Sequence, residues 1–258
     1  QKFDHLMTKN AIVTGATSGI GEATAIALAE KGYNLIITGR RVDRLRRLKK
    51  TLESEYDIQV ETLCFDVRDQ HQVAANLEHL PDGFERIDLL VNNAGLAAGL
   101  EHIDQGDLHD WDAMIDTNVK GVLYVTRIIS RKMIEAGGGH IVNIGSIAGT
   151  ETYENGAVYC ASKHAMHALS QGMHIDLLRH GIRVTEIRPG MVETEFSIVR
   201  FHGNKERAAG VYTGLEPLTG EDIAETIIWA VSQPPHVNIS EIVVMPSQQA
   251  NAYYSYKK

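Results

Sequence analysis

Residues 10–21 constrain the chain more than any other stretch. Asn10-Ala11-Ile12-Val13-Thr14 is short, apolar and β-branched, which reads as a buried strand. Gly15-Ala16-Thr17-Ser18-Gly19-Ile20-Gly21 follows at once. Residues 22–31 are then rich in Ala, Leu and Ile, a good helix, with Gly32 placed to close it. Strand, glycine loop and helix in that order suit a dinucleotide. The glycines let the backbone approach a pyrophosphate, and the helix N-terminus offers unpaired N–H groups and the positive end of its dipole. The spacing is Gly-x3-Gly-x-Gly rather than Gly-x-Gly-x-x-Gly, and a glycine loop without a ligand is the alternative. On the binding reading, Gly15, Thr17, Ser18, Gly19, Ile20 and Gly21 hold a cofactor.

The same alternation runs through the rest of the chain. Further strands are expected at 34–38, 60–65, 88–91, 140–144, 183–188 and about 240–245. Helices are expected after Arg41, over 111–136, from Tyr159 to about 180, and through 231 from a Thr219/Asp222 cap. Strands alternating with helices argue an α/β fold, a parallel sheet covered on both faces. Residues 1–9 read as a short polar leader.

The strand ends carry the next candidates. The second strand runs into Gly39-Arg40-Arg41. An acid there would bond a ribose 2′-hydroxyl, whereas Arg40 and Arg41 suit a 2′-phosphate, so NADP(H) is favoured over NAD(H). Alternatively both begin the basic run Arg44, Arg46, Arg47, Lys49, Lys50. That run is the solvated face of a helix whose apolar stripe is Leu45, Leu48 and Leu52, and it is given no role. Asp66-Val67 at the third strand's tip could meet the adenine amino group or cap a helix. Asn92-Asn93-Ala94-Gly95 suits a backbone lying against a cofactor, or a simple turn. Asn118 falls inside the 111–136 helix, where its amide is free to bond backbone or water. Ser146 follows the fifth strand at the same sheet edge.

Tyr159 and Lys163 lie one helical turn apart on one face. A phenol with a pKa of about 10 transfers protons poorly at neutral pH, and a fixed ammonium nearby would lower that value. A half-buried aromatic beside a solvated lysine has the same spacing. Composition excludes some classes. A net charge of -8 argues against broad nucleic-acid or anionic-membrane binding. Two cysteines, Cys64 and Cys160, make no disulfide framework, and a reducing, cytoplasmic setting is expected. No apolar run reaches membrane-spanning length. His164, His167 and His174 share a helix, but no carboxylate at a helpful spacing converges on them, so no metal is expected.

Thr14-Gly15-x3-Gly19-x-Gly21, Asn92-Asn93-Ala94-Gly95, Asn118, Ser146, Tyr159-x3-Lys163 and Pro189-Gly190-x3-Thr194 occur together and in order. This pattern, over about residues 10–246, resembles the short-chain dehydrogenase/reductase family. The resemblance implies a single Rossmann-type doubly wound sheet of about seven strands over residues 10–258, with a substrate lid around 191–216. It implies a catalytic set in which Asn118 holds a relay water, Ser146 bonds the substrate oxygen, Tyr159 is the acid/base and Lys163 binds the nicotinamide ribose. Asp66, Val67, Asn93, Ala94, Gly95, Pro189, Gly190, Val192 and Thr194 join the cofactor site, and a homodimer or homotetramer is implied. Gly39-Arg40-Arg41, Thr194-Glu195-Phe196-Ser197, Val199-Arg200-Phe201 and Met245-Pro246 are similar to the NADP-dependent 3-hydroxy acid (serine or allo-threonine) dehydrogenases. Arg200 would bind the substrate carboxylate, although Glu151, Tyr153 and Glu154 bring acidic, bulky groups near the pocket. A general ketone, aldehyde or 3-oxoacyl reductase, or a regulatory NADP-binding protein without turnover, are the other readings.

Overall fold

The computed structural model describes residues 8–258, so most of the predicted 1–9 leader lies outside the described residues. Seven strands form one parallel sheet in the order β3-β2-β1-β4-β5-β6-β7. They are β1 (Asn10–Val13), β2 (Asn34–Gly39), β3 (Val60–Cys64), β4 (Leu89–Asn92), β5 (Gly139–Ile144), β6 (Ile182–Pro189) and β7 (Glu241–Val244). The helices are α1 (Gly19–Glu30), α2 (Val42–Glu55), α3 (Gln70–Leu77), α4 (Leu108–Ile115), α5 (Val122–Glu135), α6 (Ala157–Leu177), α7 (Phe196–Arg200), α8 (Lys205–Gly210) and α9 (Gly220–Val231).

The period of two along each strand decides which residues face which layer. Ala11, Val13, Leu35, Ile37, Leu89 and Val91 point to one side, against Leu28 of α1, Leu45, Leu48 and Leu52 of α2, and Ile223 and Ile227 of α9. Ile12, Ile36, Leu90 and Ile141 point to the other, against Val73 and Leu77 of α3, Ile129 and Met133 of α5, and Met166 and Met173 of α6. Both faces are therefore dry, as an all-parallel sheet requires. The chain builds outward from β1 to β2 and β3, then crosses to β4 on the other side of β1. That reversal leaves a crevice at the carboxyl ends of β1 and β4, the usual ligand position in such sheets.

Several elements differ from expectation. The predicted 111–136 helix is three pieces: α4, a π-helical turn Asp116–Gly121, and α5. The wider turn carries Asn118, whose amide pairs with the backbone of Leu96 rather than with its own helix. At the start of α3, Asp69 is the cap, accepting from the His71 and Gln72 N–H groups. Asp66 instead takes Arg68, from both its backbone and its guanidinium. The Thr219/Asp222 capping box forms as expected. Beneath the crevice, Asn92 donates to Thr126 and Asn143, and Asn143 donates to Ser170. This satisfied buried network ties β4 and β5 to α5 and α6, which fixes the floor on which α6 presents its side chains.

Candidate active site

A cavity of about 320 Å³ opens along the carboxyl ends of the strands. Gly15, Thr17, Ser18, Gly19 and Ile20 line it from the first loop, Arg40 and Arg41 from the end of β2, and Asp66 and Val67 from beyond β3. Asn93, Ala94 and Gly95 follow β4, Ser146 follows β5, Tyr159 and Lys163 come from α6, and Pro189, Gly190, Val192 and Thr194 close the far wall. Three predicted residues are not in the lining: Gly21, Asn118 and Arg200. Gly21 stands behind the loop, where a Cβ would lie 2.3 Å from the Gly15 carbonyl oxygen and 2.4 Å from Asn93 Nδ2. It permits a close approach of chain to chain, not of chain to ligand.

Gly15 and Gly19 take positive φ angles, +65° and +56°, that other residues adopt at a cost. Asn93 locks the loop from beneath, its Nδ2 donating to the carbonyls of Thr14 (2.9 Å) and Gly15 (3.1 Å). The Ser18 side chain makes no cap on α1, so the first-turn N–H groups of that helix have no partner from it. Thr38 and Thr117 line the same cavity, and both hydroxyl oxygens are buried without a hydrogen-bond partner. A glycine cradle, a helix N-terminus, two orphaned hydroxyls and a pair of arginines fit a phosphorylated dinucleotide.

Charge at the β2 end of the cavity is arranged by residues given no role above. Arg41 donates from Nε and Nη2 to Thr17 Oγ1 and from Nη2 to Ser18 Oγ. Its Nη1 meets Glu195 Oε2 at 2.8 Å. Arg44, given no role in the sequence, donates to both oxygens of the same carboxylate (2.8 and 2.9 Å) and faces the Thr17 carbonyl. Glu195 is held below the usual carboxylate range, first by the hydrogen bond from Arg41. Arg40 lies more openly, 3.8 Å from Asp66.

At the other end Tyr159 is 9% exposed and Lys163 6%. The Tyr159 ring packs edge-on against Phe196, 5.7 Å between centroids. Lys163 Nζ lies 5.9 Å from the Tyr159 ring and donates to the Ile144 carbonyl (3.0 Å). Burial pushes the Tyr159 phenol well above its ordinary value. A hydrogen bond with Ser146 and the charge of Arg200 pull it back only partly. Burial also pushes Lys163 down to about 8, against the opposing pull of Glu186. In the protein alone, then, burial is the largest influence on the phenol, and it moves the pKa opposite to the lowering expected from a nearby ammonium. Asn118 accepts from Leu96 N (2.9 Å) and donates to Leu96 O (2.8 Å) and Ser162 Oγ (3.0 Å). It sets the position of the wall beside Gly95, whose Cβ would lie 3.3 Å from the amide oxygen and 3.8 Å from Lys163 Nζ.

Arg200, on α7, donates to the Gly99 carbonyl (3.2 Å). Its guanidinium lies 5.6 Å from the ring centroids of both Tyr153 and Tyr159. It also borders a smaller recess that reaches Tyr159. The acids that made a carboxylate pocket doubtful turn elsewhere. Glu151 accepts from Ala252 N (2.6 Å) and Glu154 pairs with His102 at 3.5 Å. The 191–216 segment is tied to the C-terminal segment, where Gln249 accepts from Met191 N (2.8 Å) and Lys258 N donates to Gly214 O (2.9 Å).

Two carboxylates invisible to helical spacing do reach His167. Glu186 from β6 and Glu241 from β7 bring their oxygens within 4.8 Å of its ring nitrogen and of each other. Each is already engaged, Glu186 with His167 at 2.6 Å and Glu241 with Arg188 at 2.6 Å. Cys160 is fully buried and free, and Cys64 is exposed and free. No helix among the described residues is long and apolar enough to cross a membrane.

Comparison with known proteins agrees with this geometry. The family model described as short chain dehydrogenase matches residues 9–204. The chain is 41% identical over 251 residues to the NADP-dependent 3-hydroxy acid dehydrogenase of Schizosaccharomyces pombe, covering 97% of each. It is 44% identical to a sulfoacetaldehyde reductase of Chromohalobacter salexigens, covering 95% of this chain and 96% of that one. Among solved structures, the closed form of a serine dehydrogenase complexed with NADP+ superposes with a TM-score of 0.90 at 40% identity, covering 96% and 99% of the two chains. The order of the strands, the glycine cradle and the Ser146–Tyr159–Lys163 cluster thus have one common explanation: this chain belongs to the short-chain dehydrogenase family.

Proposed function

We propose that this chain is an NADP(H)-dependent oxidoreductase that interconverts the C3 carbonyl and hydroxyl of a small 3-hydroxy acid of the serine, allo-threonine or 3-hydroxypropanoate kind. One observation carries the reading. A single cavity has Arg40 and Arg41 at one end and Tyr159 with Lys163 at the other, with Arg200 5.6 Å from the tyrosine ring. Gly15 and Gly19 would cradle the pyrophosphate, Arg40 and Arg41 the 2′-phosphate, and Lys163 the nicotinamide ribose. When bound, NADPH supplies the hydride to the carbonyl carbon.

The chain's own residues supply the rest. Tyr159, with its pKa raised by burial, is protonated at neutral pH and gives its proton to the carbonyl oxygen. Ser146 steadies that oxygen from the loop after β5. In the reverse direction the phenol must first give up its proton, which burial opposes and the charge of Arg200 assists. Arg200 takes the substrate's anionic group. A 3-oxo acid carries its carboxylate one carbon from the carbonyl, and sulfoacetaldehyde carries its sulfonate at the same remove. The two relatives' names therefore share one geometry, an anion separated from the reacting carbon by a single carbon. Exposed Leu123 on α5, Ile175 on α6, Trp229 on α9 and Val243 on edge strand β7 suit a homodimer or homotetramer, which molar mass in solution would test.

The reading is tested by steady-state rates on a panel of 3-hydroxy acids, sulfoacetaldehyde, and uncharged ketones and aldehydes, in both directions with both nicotinamides. Selectivity for NADPH and for the anionic members is expected. Equal rates on uncharged carbonyls would favour a general reductase. One contact favours that second reading: Arg200 is already occupied by the Gly99 carbonyl and lies outside the main cavity lining.

A further inference from the structure

Glu195 is an unexpected occupant of the cofactor end. It follows Thr194 at the base of the lid, 154 residues from Arg41 in sequence, yet it reaches across the cavity mouth to that arginine. Both its oxygens are taken by guanidinium groups, with three contacts of 2.8–2.9 Å from Arg41 and Arg44. The other bonded donors of Arg41, on Nε and Nη2, go to Thr17 and Ser18, and Glu195 is the carboxylate that it shares with Arg44. Arg40, by contrast, is largely exposed and its acid is 3.8 Å away. A carboxylate seated on the guanidinium that faces the adenine ribose has the chemistry of a monoester phosphate, with one charge fewer. Thr194 also presses on the loop below, its Cβ only 3.0 Å from where a Cβ on Gly19 would stand. The same short segment therefore touches both the phosphate cradle and its arginine.

We propose that Glu195 is a specificity-determining residue: its carboxylate holds the place on Arg41 that a 2′-phosphate must take, so cofactor phosphate and lid base compete for one guanidinium. The inference rests on the reading that Arg41 receives the 2′-phosphate. The dianionic phosphate, with three acceptor oxygens, displaces the monoanionic carboxylate, and Glu195 stays with Arg44. An unphosphorylated dinucleotide leaves the Glu195–Arg41 pair intact. Glu195 thereby weakens the grip on the phosphorylated cofactor and ties lid position to it.

The test measures binding, not turnover. Calorimetric titration of wild type and Glu195→Gln is made with NADPH, NADH, adenosine 2′,5′-bisphosphate and adenosine 5′-monophosphate. The glutamine variant is expected to bind NADPH and the bisphosphate about two- to fivefold more tightly, the scale of a partly exposed ion pair. NADH and the monophosphate should bind as they do to wild type. Weaker NADPH binding would overturn the proposal, since Glu195 would then be orienting Arg41 rather than competing for it. Equal tightening of NADH and NADPH would also overturn it, because the effect would belong to the lid alone. Arg41→Gln separates the underlying reading. If it leaves the NADPH-to-NADH affinity ratio unchanged, Arg41 does not hold the phosphate. If it collapses that ratio while Glu195→Gln changes nothing, only the competition fails.

Discussion

The two ends of the cavity handle charge in opposite ways. At the Arg41 end, Arg41, Arg44 and Glu195 are 41%, 36% and 39% exposed in their side chains, and one carboxylate meets both guanidinium groups at 2.8 Å. At the other end Tyr159 and Lys163 are almost wholly buried, the ammonium lies 5.9 Å from the centre of the tyrosine ring, and its bonded partner is a backbone carbonyl. Water screens the first cluster, so each pair there is worth little and the ends can exchange partners. Burial dominates the second, where it moves both pKa values further than any neighbour does. One end leaves its charges in reach of water; the other takes them out of it.

The largest break in this contrast is Tyr159→Phe. It removes the proton but little of the ring, so the packing against Phe196 survives. Turnover should fall by about 10² to 10⁴-fold, the usual worth of a general acid. NADPH affinity by titration should stay the same. A loss confined to affinity would mean that Tyr159 only shapes the pocket. Arg200→Leu comes next. It should raise KM for a 3-hydroxy acid by about tenfold or more, the cost of a charge-assisted hydrogen bond, while sparing an uncharged alcohol. Equal effects on both would show that Arg200 acts through the Tyr153 and Tyr159 rings alone.

A smaller effect sharpens the buried end. Lys163 is pushed down to about 8, so above that pH it loses charge within the working range. Tyr159 is pushed up, so it keeps its proton longer. Carbonyl reduction should therefore hold a plateau at neutral pH and decline above about pH 8, before the phenol ionises. In Lys163→Arg the guanidinium cannot titrate in that range, and the break near pH 8 should vanish even if the plateau is lower. A break that persists in the variant would assign it to another group.

The fold and most of the cavity wall were legible because they rest on local signals. The short apolar, β-branched runs in 10–14 and 34–38, the Leu45/Leu48/Leu52 stripe and the Thr219/Asp222 cap each report on their own neighbours. What was missed depends on contacts between distant residues. Glu195 and Arg41 are 154 positions apart, and Arg44 reads as any solvated helical arginine until its pairing with Glu195 is seen. Glu186 and Glu241 reach His167 only because β6 and β7 lie side by side beneath α6. The π-helical turn at Asn118 has no periodicity of its own to read, and its amide partner, Leu96, sits in an irregular loop. Nor could the sequence say that burial would be the largest influence on Tyr159, since desolvation is a property of the whole surround.

That last lesson extends beyond the site and gives the smallest effect. His140, on β5, is 3% exposed, and its Nε2 meets Thr185 Oγ1 at 2.8 Å while Nδ1 has no partner. Burial, helped by the charge of Arg183, pushes its pKa down to about 3. Between that value and the unfolded value near 6.5, the unfolded chain binds a proton that the folded protein refuses. The stability due to neutral His140 is therefore complete above pH 6.5 and lost progressively as pH falls toward 3. From pH 7 to pH 5 the loss should be about 2 kcal/mol at most. His140→Val leaves Thr185 without that partner and lowers stability at every pH, so the informative quantity is the slope. Urea denaturation at pH 7, 6 and 5 should show a shallower decline in the variant than in the wild type. Parallel slopes would mean that His140 takes up its proton inside the folded sheet, and that burial there is weaker than at Tyr159 and Lys163.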